Sequence, residues 1–185
     1  VQKDDVVLAY PQTKEIRMDG SLGKVYQDDY STIGIKKPAD RYLYILNNLH
    51  ACNLFQGIWK TEIIAKIYLK PVVSNDILML LHAALAGKFE QYKSVLFFRR
   101  TTREETKDGM YKRQICNITG EYLPTPPSAS SLKNQFIFEN VKMLFGAPSQ
   151  LNLFLKLKLS MQTIYKWVER FYIKPSLCYI IRKLK

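Results

Sequence analysis

Phe55-Gln56-Gly57-Ile58-Trp59-Lys60-Thr61-Glu62 leads through Ser74-Asn75-Asp76 into the apolar run Ile77 to Gly87, and the stretch closes on Val95-Leu96-Phe97-Phe98-Arg99-Arg100. This pattern predicts a turn into a helix, a loop delivering one carboxylate, a buried helix, and a strand ending in two cations. Thr61 is the expected cap of a helix through Ile67. Pro71-Val72-Val73 stops it, and Ser74 or Asn75 caps the next. Ile77, Leu78, Leu80, Leu81, Ala84 and Leu85 are apolar nearly all round, which marks a helix enclosed by the rest of the protein. Ala86-Gly87 ends it, and Tyr92 to Phe98 reads as a strand.

Upstream, Val6-Val7-Leu8-Ala9-Tyr10 reads as a buried strand stopped by Pro11, and Ile16-Arg17-Met18 as a second strand turning at Asp19-Gly20. Gly23 to Tyr30 reads as loop. Tyr42, Ile45, Leu46 and Leu49 predict a helix over Arg41 to Leu49 with Asp40 as N-cap, and Asn53 to Ile58 reads as a short buried strand. Downstream, the charged residues 101–112 suit a solvated loop or a frayed helix. Pro124, Pro126, Pro127 and the neighbouring serines mark a linker over 122–131. Phe136, Ile137, Val141, Leu144 and Phe145 predict a helix over Leu132 to Phe145. A second helix over Ser160 to Ile173 carries Met161, Ile164, Tyr165, Val168, Phe171 and Tyr172 on one face. Pro175 breaks it before a last short helix over 177–185.

A chain of 185 residues suffices for one well-cored domain with a helical appendix. With 47% apolar and 24% charged residues it is globular rather than disordered, and its net charge of +12 points to anionic partners. Cys52, Cys116 and Cys178 are odd in number and widely spaced, which argues against a disulfide framework or a zinc site and for a reducing compartment. No stretch approaches the ~18 apolar residues of a membrane span.

Asp76, at the mouth of a buried helix, suits a general base, although locally a helix cap is the commoner role of such an Asp. Arg99 and Arg100 suit a phosphate grip, or a solvated strand end. Asp4-Asp5 and Asp28-Asp29 read as surface acids, since adjacent strand residues point to opposite faces and divalent cations need converging oxygens. No metal ligands are assigned. His82 reads as a core histidine and Cys52 as a packed small side chain. Towards the C-terminus, Lys156, Lys158, Lys166, Arg170, Lys174, Arg182, Lys183 and Lys185 interleave with Phe154, Tyr165, Trp167, Phe171, Tyr172 and Tyr179 against Glu169 alone. That composition suits adsorption to an anionic membrane face, with Lys166, Arg170, Lys174, Arg182 and Lys183 as anion contacts. It equally suits a helix closing the domain's own core. No nucleic-acid motif accompanies these charges, which leaves nucleic acid a poorer partner.

Taken together, Phe55 to Glu62, Asn75-Asp76, Gly87-Lys88-Phe89 and Leu96 to Arg100 resemble, in order and spacing, the C-terminal half of family 2 glycosyltransferases, over roughly Val6 to Thr102. The resemblance implies an α/β fold: the C-terminal portion of a GT-A-like nucleotide-diphospho-sugar transferase, with a mainly helical extension. It divides the chain into an acceptor-side part (1–121), the linker (122–131) and a basic amphipathic extension (132–185). Carried over, Asp76 is the base that activates an acceptor hydroxyl, and Gly57, Trp59, Asn75, Arg99 and Arg100 lie near acceptor and donor. Asn75 stands where the family usually has Glu, so no acid role passes to it. The implied partners are a nucleotide sugar and a glycan or lipid-linked acceptor, at the cytoplasmic side and peripherally on the inner face of the plasma membrane.

The family's nucleotide-binding half, with its Asp-x-Asp motif, has no counterpart in these residues. The chain is therefore expected to bind no cofactor alone, with Mg²⁺ or Mn²⁺ accompanying the nucleotide sugar in an intact enzyme that includes the missing N-terminal half. The competing expectation is a non-catalytic basic module that contacts nucleic acid or a partner protein.

Overall fold

The computed structural model describes residues 5–26, 29–50, 52–67, 74–100, 129–146 and 151–169. It is a mixed α/β structure built on strand β1, Val6–Ile16. One edge of β1 pairs antiparallel with β2 (Leu22–Val25) and, nearer its start, with β3 (Ile58–Trp59). The other edge pairs in parallel with β4 (Lys88–Arg100), from Val6 opposite Lys88 to Ile16 opposite Arg100. Parallel neighbours need a long crossover, and helices α1 (Pro38–Asn48), α2 (Thr61–Lys66) and α3 (Asn75–Ala86) lie along it. Helices α4 (Ala129–Gly146) and α5 (Leu153–Val168) follow.

Pro11 does not end the first strand, as its sequence suggested. Proline lacks an N–H, and a bulge absorbs the defect: the register with β4 shifts on either side of Gln12, and one strand continues to Ile16. The predicted turn at Asp19-Gly20 is present. Gly20 has a φ of 84°, and the Asp19 carboxylate accepts from the Ser21 N–H at 2.9 Å. Leu22–Val25, read as loop, pairs with β1 instead. Asn53–Gln56, read as strand, is a 3-10 turn leading into β3. Helix α1 starts at Pro38 with Lys37 as N-cap, so Asp40 lies in the first turn and caps nothing; Lys60, not Thr61, precedes α2. Helix α4 begins at Ala129, inside the predicted linker. Residues 101–128 and 170–185, and with them the rest of that linker and the predicted last helix, lie outside the described residues.

The core gathers Val7, Leu8 and Tyr10 of β1, Tyr42 and Ile45 of α1, Leu80, Leu81, Ala83 and Ala84 of α3, and Phe89 of β4. Phe136 and Leu144 of α4 and Leu159 and Trp167 of α5 complete the same cluster, with the Phe136 and Trp167 rings stacked at 3.9 Å. The helical extension therefore closes the core of the α/β part, one of the two roles its composition allowed. Its buried face is not the predicted one: Leu159, Ser160, Thr163 and Trp167 turn inward, while Met161 and Tyr165 face solvent.

Buried Arg41 fastens α1 to the C-terminus of α3. Its guanidinium donates to Ala84 O at 2.8 Å and Leu85 O at 3.3 Å, and to Lys36 O at 2.8 Å. Helix C-termini leave carbonyls without intrahelical partners, and a cation there answers both the hydrogen bonds and the helix dipole.

Candidate functional site

Asp76 occupies the first turn of α3, whose body is buried. The residue before that helix, Ser74, has a φ of 65°, the only positive φ at a non-glycine among the described residues. A left-handed L-residue costs about 1–2 kcal/mol. Ser74 accordingly turns the chain sharply onto α3, and its side chain makes no cap bond. Asp76 is half-buried; its Oδ1 accepts from the Ile77 N–H at 2.9 Å. Oδ2 makes no hydrogen bond or ion pair with the described residues. One oxygen is thus held by the backbone. Asn75 precedes it as the first helical residue.

At its far end α3 passes through Gly87 directly into β4. A Cβ on Gly87 would collide with the Val7 side chain and lie 2.7 Å from Asp5 O. The helix bearing Asp76 is therefore seated against β1 at this junction, with the Arg41 cap above it. Asp5 pairs with Lys88 across the same junction, which lowers the Asp5 carboxyl below the usual range through that hydrogen bond.

The remaining predicted site residues fall along β1 and β4. Gly57 packs against the β1 backbone: a Cβ there would sit 2.5 Å from Ala9 O and 2.8 Å from Leu8 Cδ1. Trp59 lies opposite Leu8, its indole N–H donating to Phe55 O at 3.0 Å and its ring edge-on to Phe55. Arg99 donates from Nη1 to Asn53 Oδ1 at 2.9 Å, which ties the end of β4 to the 3-10 turn; Arg100 is exposed at the strand end. Asn53 is a contributor that sequence reading missed, because nothing local links it to residue 99. Among the described residues, no hydrogen bond or ion pair joins Asp76 to Gly57, Trp59, Arg99 or Arg100.

Lys166 is half-buried and pairs with Glu169 at 3.0 Å. Arg170, Lys174, Arg182 and Lys183 lie outside the described residues. Lys166 also lines, with Ile45, Leu46, Leu49, Ile77 and Trp167, a cavity of 20 Å³ between α1, α3 and α5. That space holds about one water, not a sugar. Partial burial depresses the half-buried His82 imidazole below its usual range. Among the described residues no three His, Cys, Asp or Glu side chains converge as a metal site, and no helix is long and apolar enough to cross a membrane.

Compared with protein-family models, curated proteins and solved structures, the chain finds no match.

Proposed function

We propose that this chain forms the acceptor-side part of a glycosyltransferase, in which Asp76 deprotonates the attacking hydroxyl of a glycan or lipid-linked acceptor. The observation that carries the proposal is the Asp76 carboxylate itself: it follows the left-handed Ser74, is anchored through Oδ1, and makes no hydrogen bond or ion pair through Oδ2 with the described residues. In an inverting transfer the acceptor oxygen bonds to the anomeric carbon as the carbon–oxygen bond to the nucleoside diphosphate breaks, and the hydroxyl proton passes to the base. Arg99, fixed by Asn53, and the exposed Arg100 supply cations at the end of β4 for an anionic donor or acceptor. Among the described residues no three His, Cys, Asp or Glu side chains converge to hold a divalent cation. Under this proposal Mg²⁺ or Mn²⁺ and most of the donor site belong to an N-terminal half outside these 185 residues, and the enzyme works at the cytoplasmic side of the membrane.

The test is a nucleotide-sugar transfer assay on the longest natural form of the protein, alongside the 185-residue chain alone. Asp76→Asn is expected to lower transfer by about 10²–10⁴-fold, the usual loss of a general base. The short chain is expected to turn over no donor. Equal transfer by wild type and Asp76→Asn would reject the base. Asp76-dependent donor hydrolysis by the short chain would reject the division into halves.

A further inference from the structure

Helix α5 buries one face and leaves the other bare. Opposite Leu159, Thr163 and Trp167 stand Phe154, Leu157, Met161 and Tyr165, with exposures of 76, 49, 66 and 62%. Spacings of three and four residues set these side chains in one stripe about 17 Å long. The helix start is fixed: Asn152 Oδ1 accepts from the Leu155 N–H at 2.9 Å. Helix α4 repeats the pattern. Phe136, Asn140 and Leu144 are buried, while Phe138 and Phe145 face outward with Lys142 between them. Lys158 stands exposed beside the α5 stripe, and no carboxylate lies within it.

We propose that the outer face of α4 and α5 docks the protein on an anionic bilayer, with Phe154, Leu157, Met161 and Tyr165 entering the boundary between headgroups and acyl chains. Lys142 and Lys158 then meet the anionic headgroups. Charge and apolarity together select this occupant. A second copy of the chain would bring two molecules of net charge +12 together, with lysines facing lysines. A nucleic acid would answer the lysines but leave Leu157 and Met161 against a polyanion. A soluble anion would cover none of the stripe. Only an anionic lipid surface offers an apolar layer beneath a negative one. Helix α5 spans 16 residues and carries Lys156, Lys158 and Lys166, so it lies in the interface plane, its inner face still packed on the core. The proposal does not depend on the catalytic reading, and it assigns membrane contact to a surface on α4 and α5 besides the basic residues expected from the sequence.

The experiment is co-sedimentation of the 185-residue chain with phosphatidylcholine vesicles, with and without about 30% phosphatidylserine. The chain is expected to pellet with the anionic vesicles. Phe154→Ser combined with Met161→Ser should weaken binding at least about tenfold. Lys142→Gln and Lys158→Gln should each weaken it about fivefold at low salt, and less at high salt. All four positions are exposed, so an unchanged thermal melt will certify the fold. Absence of binding to either vesicle would overturn the proposal. So would unchanged binding by the Phe154→Ser, Met161→Ser variant, which would assign adsorption to charge elsewhere. A dimer of the wild-type chain dissolved by that same variant would also overturn it, by assigning the face to a second copy.

Discussion

The Tyr42 hydroxyl lies 2.7 Å from Thr163 Oγ1, a contact between α1 and α5 across 121 residues of sequence. It also lies 2.7 Å from Asn140 Oδ1 of α4, and Thr163 Oγ1 lies 2.9 Å from Leu159 O, so the two hydroxyl protons are shared among three contacts. All three side chains are buried, so one phenol joins the α/β part to both C-terminal helices.

Tyr42→Phe should therefore destabilise the protein by about 2 kcal/mol, because the buried Asn140 Oδ1 loses the hydroxyl it pairs with. Burial pushes the Tyr42 phenol up to about 12. An unfolded tyrosine releases its proton near pH ~10. Between those values the folded chain holds a proton the unfolded chain has lost, so stability falls as pH rises from 10 towards 12. Urea titrations across that range should show a shallower decline for Tyr42→Phe than for the wild type.

Arg41→Lys should cost about 2 kcal/mol despite preserving the charge. One ammonium cannot reach the carbonyls of Lys36, Ala84 and Leu85 that the guanidinium fork joins. A loss of only a few tenths in denaturant titration would show that water satisfies the end of α3.

Gly57→Ala should destabilise by about 1–3 kcal/mol, the range for overpacking a close-packed site. The added methyl meets the β1 backbone at Ala9 O, which cannot move without disturbing the pairing of Leu8 with Trp59. A thermal melt of the variant measures it.

Asp76→Asn and Asp76→Ala should each shift stability by under about 1 kcal/mol, since a single helix-terminus contact is involved. A substantially larger loss in denaturant titration would mean that the carboxylate serves α3 rather than chemistry.

Helix α3 was legible in the sequence because its apolar residues surround it on every side, and a helix with no polar face has only the interior to occupy. Helix α1 was legible in its periodicity, though its start was not: Asp40 has the chemistry of a cap, but Pro38 sets the first turn. The β1–β4 pairing was obscured by Pro11, a local stop signal that ten paired positions override. Of the candidate site, Asp76 at the head of α3 was readable. The link between Arg99 and Asn53 was not, since it joins side chains 46 residues apart through a turn that reads as strand.

What the sequence by itself determined is the existence of α1 to α5, the hairpin turn at Asp19-Gly20 and the place of Asp76 at a helix start, because each rests on spacing or turn chemistry within a few residues; it missed the start of α5, which lies at Leu153 rather than Ser160. Tertiary structure alone decided how far β1 runs and which side of α5 faces in. Met161 and Tyr165 are as apolar as the residues that α5 buries, so hydrophobicity could not choose between its faces. The choice follows from the partners that two α5 residues find elsewhere in the chain: Trp167, whose ring stacks on Phe136, and Thr163, whose hydroxyl meets that of Tyr42. Turning those two residues inward leaves Phe154, Leu157, Met161 and Tyr165 outside.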